Sequence, residues 1–126
     1  MDTSGTTTRV GQRAEQAALA HLQRQGLMLV QRNYRVAAGP RRPGGEIDLV
    51  LREPDGTLVF VEVRARRRGE HGGAAASIGA GKRRRLVFAA RCFLRRLAVL
   101  PPCRFDVVAI DGDAVCWLRG AFEAGE

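Results

Sequence analysis

The sequence predicts a single α/β domain built on a mixed five-stranded sheet that is flanked by helices. Its length of 126 residues suits one domain, and a composition with 45% hydrophobic and 27% charged residues is typical of a globular chain. Hydrophobic periodicity gives the order of elements, which is helix, three strands, helix and two strands. Turns that contain glycine and proline separate these segments.

The first helix is predicted over residues 9–25, from small and apolar residues at helical spacing, and Gly26 can end it. The polar residues 1–8 are expected to be disordered. The other predicted elements, in chain order, are a strand at 27–36, a loop at 37–45, strands at 46–52 and 58–66, a mobile glycine- and alanine-rich loop at 67–81, a helix at 82–100, and strands at 103–110 and 114–119.

A net charge of +8 favours a polyanionic partner such as nucleic acid. Two basic clusters could flank a groove that binds duplex or branched DNA through its phosphates. They are Arg66, Arg67 and Arg68 at one strand end, and Lys82, Arg83, Arg84 and Arg85 at the start of the second helix. The alternative is a solvated basic surface without a ligand. Few aromatic residues are present, which disfavours stacking on single-stranded bases.

Cysteine usage and hydropathy indicate the compartment. Three cysteines without a paired spacing fit reduced thiols in a cytoplasmic protein. The two histidines lie far apart in sequence, which disfavours a zinc site. We find no segment with the pattern of a signal peptide or the length of a membrane span. We therefore expect a cytoplasmic localisation and no membrane partner.

The stretch EPDGT at residues 53–57 is typical of a type I turn that ends in a glycine bulge. Such a loop pairs Glu53 with Thr57. The same register, continued along both strands, places Asp48 opposite Glu62. A two-residue loop would instead shift the register by one residue and turn Asp48 to the other face.

The alternation of a strand places Asp48, Glu62 and Arg64 on one face, with Glu46 opposite Arg64. The other face is predicted to carry Ile47, Leu49, Leu51, Val59, Val61 and Val63. Two cross-strand carboxylates at about 5 Å would repel each other by roughly 3 kcal/mol. A divalent cation would relieve this repulsion, and oxygen ligands suit Mg²⁺ or Mn²⁺. The alternative is that Arg64 and other arginines neutralise the pair, or that one acid is exposed.

A third acid is predicted to point toward the sheet. Glu15 shares the apolar stripe of the first helix with Ala18, Leu19 and Leu22, because these residues stand three, four and seven positions after it. The alternative is a residue at the edge of the stripe that extends its carboxylate into solvent. Three acids directed at one core favour the metal-site interpretation.

Several segments together resemble a known family. The stretches GQRAEQAALAHLQRQG, RNYR, GGEIDLV, VFVEVRAR and RFDVV, with Lys82, resemble the YraN-like, resolvase-related family of the PD-(D/E)-x-K nuclease superfamily. The resemblance extends over residues 9–110. It implies a fold like that of restriction endonucleases and Holliday-junction resolvases, with an αβββαβ core. It also implies a metal-dependent endonuclease for DNA, with branched or flapped DNA as candidate substrates, and a homodimer by analogy.

The resemblance also assigns roles to individual residues. Glu15, Asp48 and Glu62 match the acids of the family motif, with Asp48 and Glu62 as metal ligands. Arg64 stands where the motif has lysine, and arginine cannot act as a general base but can bind phosphate. The alternative function is therefore a DNA-binding protein of the nuclease fold with little or no activity, and a third is an RNA-associated protein. Asp106 could be a further acid of the site, but a salt bridge with Arg104 or another arginine is the simpler expectation.

Overall fold

The computed structural model describes residues 3–65 and 78–124, with side chains from residue 11 onward. Its elements are α1 (Thr3–Arg24), β1 (Met28–Val36), β2 (Gly45–Arg52), β3 (Leu58–Ala65), α2 (Ala80–Leu94), β4 (Cys103–Asp111) and β5 (Ala114–Phe122). The predicted α/β class and the mixed five-stranded sheet are confirmed.

The five strands lie side by side in the order in which they occur along the chain. All neighbouring strands are antiparallel except β3 and β4, which are parallel. Parallel neighbours need a crossover connection, and α2 lies in the segment that joins them. The strands β1 and β5 form the edges, and β3 lies at the centre.

In the described ranges each face of the sheet carries one helix and a large apolar core, and Ile78, Val107 and Ala109 form a smaller third cluster. The core on the α1 face contains Ala14, Ala18, Leu19, Leu22, Leu49, Leu51, Val59, Val61 and Val108. The core on the α2 face contains Ile47, Val50, Leu58, Phe60, Leu86, Ala89, Ala90, Phe93 and Phe105. The strands β2 and β3 contribute to both cores, so a polar side chain within them is removed from water whichever face it takes.

The hairpin between β2 and β3 has the predicted register. The Glu53 N–H donates to the Thr57 carbonyl at 2.9 Å, and the Gly56 N–H donates to the Glu53 carbonyl at the same distance. Gly56 has a φ of 95°, the left-handed conformation that the bulge requires. Four residue pairs follow from Arg52–Leu58 onward. Local turn chemistry therefore fixed which residues of the two strands face each other.

The boundaries of α1 and of the crossover segment differ from the prediction. α1 begins at Thr3 and not at residue 9, so part of the segment expected to be disordered is helical. Once a helix is nucleated, each further residue extends it at little cost. α2 begins at Ala80, and its first residues belong to the predicted mobile loop, of which residues 67–77 lie outside the described residues.

The end of α2 also differs from the prediction. The helix ends at Leu94 and not at residue 100. The Leu97 N–H bonds the carbonyl three residues back, which tightens the chain after the helix. Val99 and Leu100 are exposed, so no core holds a longer helix there. Within the described ranges no helix is long and apolar enough to cross a bilayer.

Candidate metal and phosphate site

Asp48 ends the main-chain pairing of β2 with β3. The ladder stops at the pair Leu49–Val61. Beyond it, the N–H of Val63 donates to Asp48 Oδ2 at 2.8 Å. The carboxylate of Asp48 therefore takes the place that a main-chain carbonyl of β2 would have in a regular ladder. The confirmed register places Asp48 opposite Glu62, but the ladder stops one pair before them. Their side chains nevertheless meet.

At the same break, the side chains of β2 change from one face of the sheet to the other. Ile47 packs in the α2 core together with Val50, although simple alternation places it on the α1 face. On β1, the residue across from Asp48 is Asn33, and its φ of 51° is left-handed, a conformation in which Asn is enriched among non-glycine residues. The pairing of β2 with β3 thus stops beside Asp48, whereas its pairing with β1 continues to Val36–Gly45.

Asp48 and Glu62 form a hydrogen-bonded carboxyl pair. Glu62 is only 5% exposed. Burial, followed by the neighbouring charge of Asp48, raises the pKa of Glu62 to about 8. Burial also raises the pKa of Asp48, against the lowering effect of the Val63 N–H. At neutral pH the pair therefore holds a proton between its two carboxyl groups.

Lys82 places a positive charge beside this pair. Its Nζ lies 3.5 Å from Glu62 Oε1, and its side chain is 40% exposed. Lys82 can reach Glu62 because α2 packs closely on β2. Gly45 lies against the Arg85 carbonyl and the Ala89 side chain, and a Cβ at Gly45 would collide with that carbonyl. The sequence left open whether Lys82 lies near the site or is a surface lysine at the helix start, and the structure places its ammonium group beside Glu62.

Glu15 is near the pair but does not join it. It is half-buried on α1, and burial, followed by the charge of Asp48, raises its pKa. Its side chain shares a hydrogen bond with Asn33. In the part of the chain that is described, no three His, Cys, Asp or Glu side chains stand close enough to hold a metal ion. The expected three-acid constellation is therefore a close pair with a third acid at longer range.

Glu46 is a further acid at this end of the sheet, which the sequence prediction had paired with Arg64. It pairs instead with Arg35 of β1, at 3.3 Å. Glu46 and Arg35 line two adjoining cavities, one of about 290 Å³ that includes Glu15 and one of about 660 Å³ that includes Lys82. Glu46 lies two residues before Asp48 in the same short motif, GEID, and this proximity is the sequence signal that could have identified it as part of the site.

The basic residues predicted to bind nucleic acid have different environments. Arg64 is half-buried, and it shares a face of β3 with Glu62, two residues before it. Arg84 and Arg85 are exposed on α2. Arg83 donates to the Ile78 carbonyl at 3.2 Å and lies over the ring of Phe122. The predicted residues Arg66, Arg67 and Arg68 lie outside the described residues.

Asp106 has a structural role, and the predicted salt bridge with Arg104 is confirmed. The Arg104 Nε donates to both carboxylate oxygens of Asp106, at 3.0 and 3.2 Å. Trp117 Nε1 and the Gly120 N–H each donate to Asp106 at 2.9 Å. Arg104 also binds Glu53, at 2.7 Å, which lowers the pKa of that carboxyl. The network joins β4, β5 and the hairpin turn at the opposite end of the strands from Asp48.

Comparison with known proteins identifies the family. The model of the family described as "Uncharacterised protein family UPF0102" matches residues 14–110. The chain belongs to the UPF0102 family. A UPF0102 protein of Methylibium petroleiphilum is 63% identical over 119 residues, which cover 94% of this chain and 98% of that protein.

Other UPF0102 relatives are similarly close. The UPF0102 protein of Paracidovorax citrulli is 64% identical, with 95% of this chain and 87% of the relative covered. The UPF0102 protein of Albidiferax ferrireducens is 58% identical, with 95% and 91% covered. The YraN-like resemblance is thereby confirmed at the level of the family. Glu15, Asp48, Glu62 and Lys82 all lie within the matched range.

Proposed function

We propose that this UPF0102 protein is a nuclease that uses Mg²⁺ or Mn²⁺ to hydrolyse phosphodiester bonds in DNA. One observation carries the proposal. Two carboxyl groups from adjacent strands, Asp48 and Glu62, meet where the β2–β3 ladder ends, where burial raises the pKa of both and the charge of Asp48 raises the pKa of Glu62 further. Such strongly perturbed acids beside a cavity are typical of functional sites.

The donor set fits a hard divalent cation. Mg²⁺ is usually held by one or two carboxylates and keeps several waters or substrate phosphate oxygens as further ligands. Asp48 and Glu62 supply two carboxylates, and water or substrate oxygens would supply the other ligands. A third close acid is not required. When bound, the cation would acidify a water molecule and offset charge on the phosphate.

Other residues of the chain would bind and orient the substrate. Arg64 can hold a phosphate through two parallel hydrogen bonds, which also stabilises charge that develops during hydrolysis. Exposed Arg84 and Arg85 on α2 would contact the DNA backbone without reading sequence. Half-buried Glu15 is a third acid, which would orient water near the pair.

Arg64 also supports a second candidate function. Because an arginine cannot accept a proton from water, the chain could be a nuclease-fold protein that binds DNA but cleaves it weakly or not at all. This alternative predicts salt-dependent binding to DNA without cleavage. A preference for RNA of the same length would instead support the third function, RNA association.

Cleavage and binding assays distinguish these functions. Labelled duplex, four-way junction, flap and RNA substrates of matched length are incubated with the protein in Mg²⁺, Mn²⁺ or EDTA. We expect metal-dependent cleavage of at least one DNA substrate, and its loss in Asp48→Asn and in Glu62→Gln. Asp113→Asn, which removes an exposed acid in the turn between β4 and β5, is the matched control.

Each outcome favours one function. Cleavage that is lost in both site variants but kept in the control supports the nuclease. Binding without cleavage on every substrate, unchanged in Arg64→Lys, refutes the nuclease and supports the DNA-binding module. Equal cleavage by wild type and Asp48→Asn would show that a contaminating enzyme is responsible and would also refute the proposal.

A further inference from the structure

Lys82 contacts two different regions of the site. Its Nζ lies 3.5 Å from Glu62 Oε1, which is longer than the 2.7–2.9 Å or so of a tight charge-assisted hydrogen bond. Its side chain is 40% exposed, and it also lines the cavity of about 660 Å³. The ammonium group is therefore not enclosed by its carboxylate partner, and the cavity is directly accessible to it.

The lining of this cavity favours an anion. Among the described residues, three cationic side chains contribute to it, from Lys82, Arg85 and Arg35, and the one acid is Glu46, which is paired with Arg35. The remaining positive charge suits a phosphate group of a nucleic-acid backbone. Gly45 lies at the wall of this cavity, where it permits α2 to approach β2 closely.

We propose that Lys82 is a positioning residue whose ammonium group moves between the Asp48–Glu62 pair and a backbone phosphate in the adjoining cavity. In the absence of a metal ion it offsets the charge of the pair. A divalent cation at the pair repels the ammonium and favours its orientation into the cavity. Metal binding and phosphate binding then favour the same orientation of one side chain, so each strengthens the other. The metal half of this inference rests on the proposed function.

The first test measures Mn²⁺ affinity by calorimetry without DNA. In Lys82→Met, no ammonium has to be displaced, and we expect Mn²⁺ to bind roughly threefold to tenfold more tightly than in wild type. Arg91→Met removes an exposed cation further along the same helix, and it should leave the affinity unchanged. Glu62→Gln should abolish the binding and thereby identify the site.

The second test needs no metal and uses fluorescence anisotropy with a labelled DNA duplex in EDTA. The double variant Asp48→Asn, Glu62→Gln removes the charge that holds Lys82. We expect the duplex to bind roughly threefold more tightly to this variant than to wild type. Addition of Lys82→Met should cancel the gain, as expected for residues that act through each other.

The outcomes separate this inference from the proposed function. Tighter Mn²⁺ binding in Lys82→Met and a cancelled gain in DNA affinity support the exchange. If wild type binds Mn²⁺ at Glu62 but Lys82→Met binds it equally or more weakly, the exchange is refuted while the metal site stands. If wild type binds no Mn²⁺, the proposed function fails. In that case the DNA measurement alone tests the exchange. If the double variant gains the same DNA affinity with Lys82→Met as without it, the exchange is refuted.

Discussion

Replacement of Glu62 by Gln should stabilise the metal-free protein, and the gain should grow with pH. The folded structure raises the pKa of Glu62 from its ordinary value of 4.5 to about 8. A group with a raised pKa stabilises the fold fully below its unfolded value, and this contribution is lost as pH rises through the folded value. For Glu62 the loss begins near pH 4.5 and is complete just above pH 8.

The magnitude follows from the same pKa. Each unit of difference between the folded and unfolded pKa corresponds to about 1.4 kcal/mol. The rise from 4.5 to about 8 therefore corresponds to roughly 5 kcal/mol over the whole range, and to roughly 3 kcal/mol at pH 7. Gln donates a hydrogen bond to Asp48 as a protonated Glu does, but it never becomes charged. Glu62→Gln should therefore match wild type near pH 4.5 and exceed it increasingly above that.

Urea unfolding in EDTA measures this difference, with the fluorescence of Trp117, the one tryptophan of the chain, as the signal. Midpoints and slopes are compared for wild type and Glu62→Gln at intervals from about pH 5 to pH 8. Glu123→Gln, which replaces an exposed acid after β5, is the control and should follow wild type throughout. A stability difference that is independent of pH would refute the reasoning, because it would mean that Glu62 is ionised in the fold at no unusual cost.

Three further predictions concern the parts of the fold that support the site. Asp106→Asn should destabilise the protein by about 3 kcal/mol in urea unfolding, since it removes a buried charge from a network of four hydrogen bonds; a loss below about 1 kcal/mol would contradict that role. Gly45→Ala should cost about 1–3 kcal/mol through its collision with the Arg85 carbonyl, whereas Gly79→Ala, which meets no atom, should cost far less; equal losses would contradict the packing argument. Asn33→Ala should cost about 1 kcal/mol more than Asn33→Gly, because only glycine adopts a positive φ freely; equal stability of the two variants would show that the left-handed conformation is absent.

Most of the fold could be predicted from the sequence because its determinants are local. The turn at 53–57 sets the register of the β2–β3 hairpin through a few residues and one left-handed glycine. Hydrophobic periodicity identified both helices and all five strands, since each period depends on neighbours within one or two turns. Element ends were less certain, because they depend on what the ends contact. α2 ends at Leu94, where the core that supports it ends.

The candidate site was predicted only in part. Asp48 and Glu62 were placed together by the hairpin register, and their side chains do meet. The contact between them does not arise from a continued ladder. The side chain of Asp48 accepts the Val63 N–H, and the main-chain pairing stops at Leu49–Val61. Glu46 and Asn33 were missed as parts of the site, since they share a cavity with Glu15 only in the folded chain and Asn33 has a left-handed conformation.

The sequence by itself determined the fold class, the family, the hairpin register and the identity of the acidic residues. Only the tertiary structure decided that Lys82 reaches Glu62, that Ile47 reverses its face and that Glu15 stays apart from the carboxyl pair. Hydrophobic periodicity and turn sequences depend on residues that are neighbours in the chain, whereas these contacts join residues on separate elements. Their distances depend on how closely two packed surfaces approach, which no local pattern specifies.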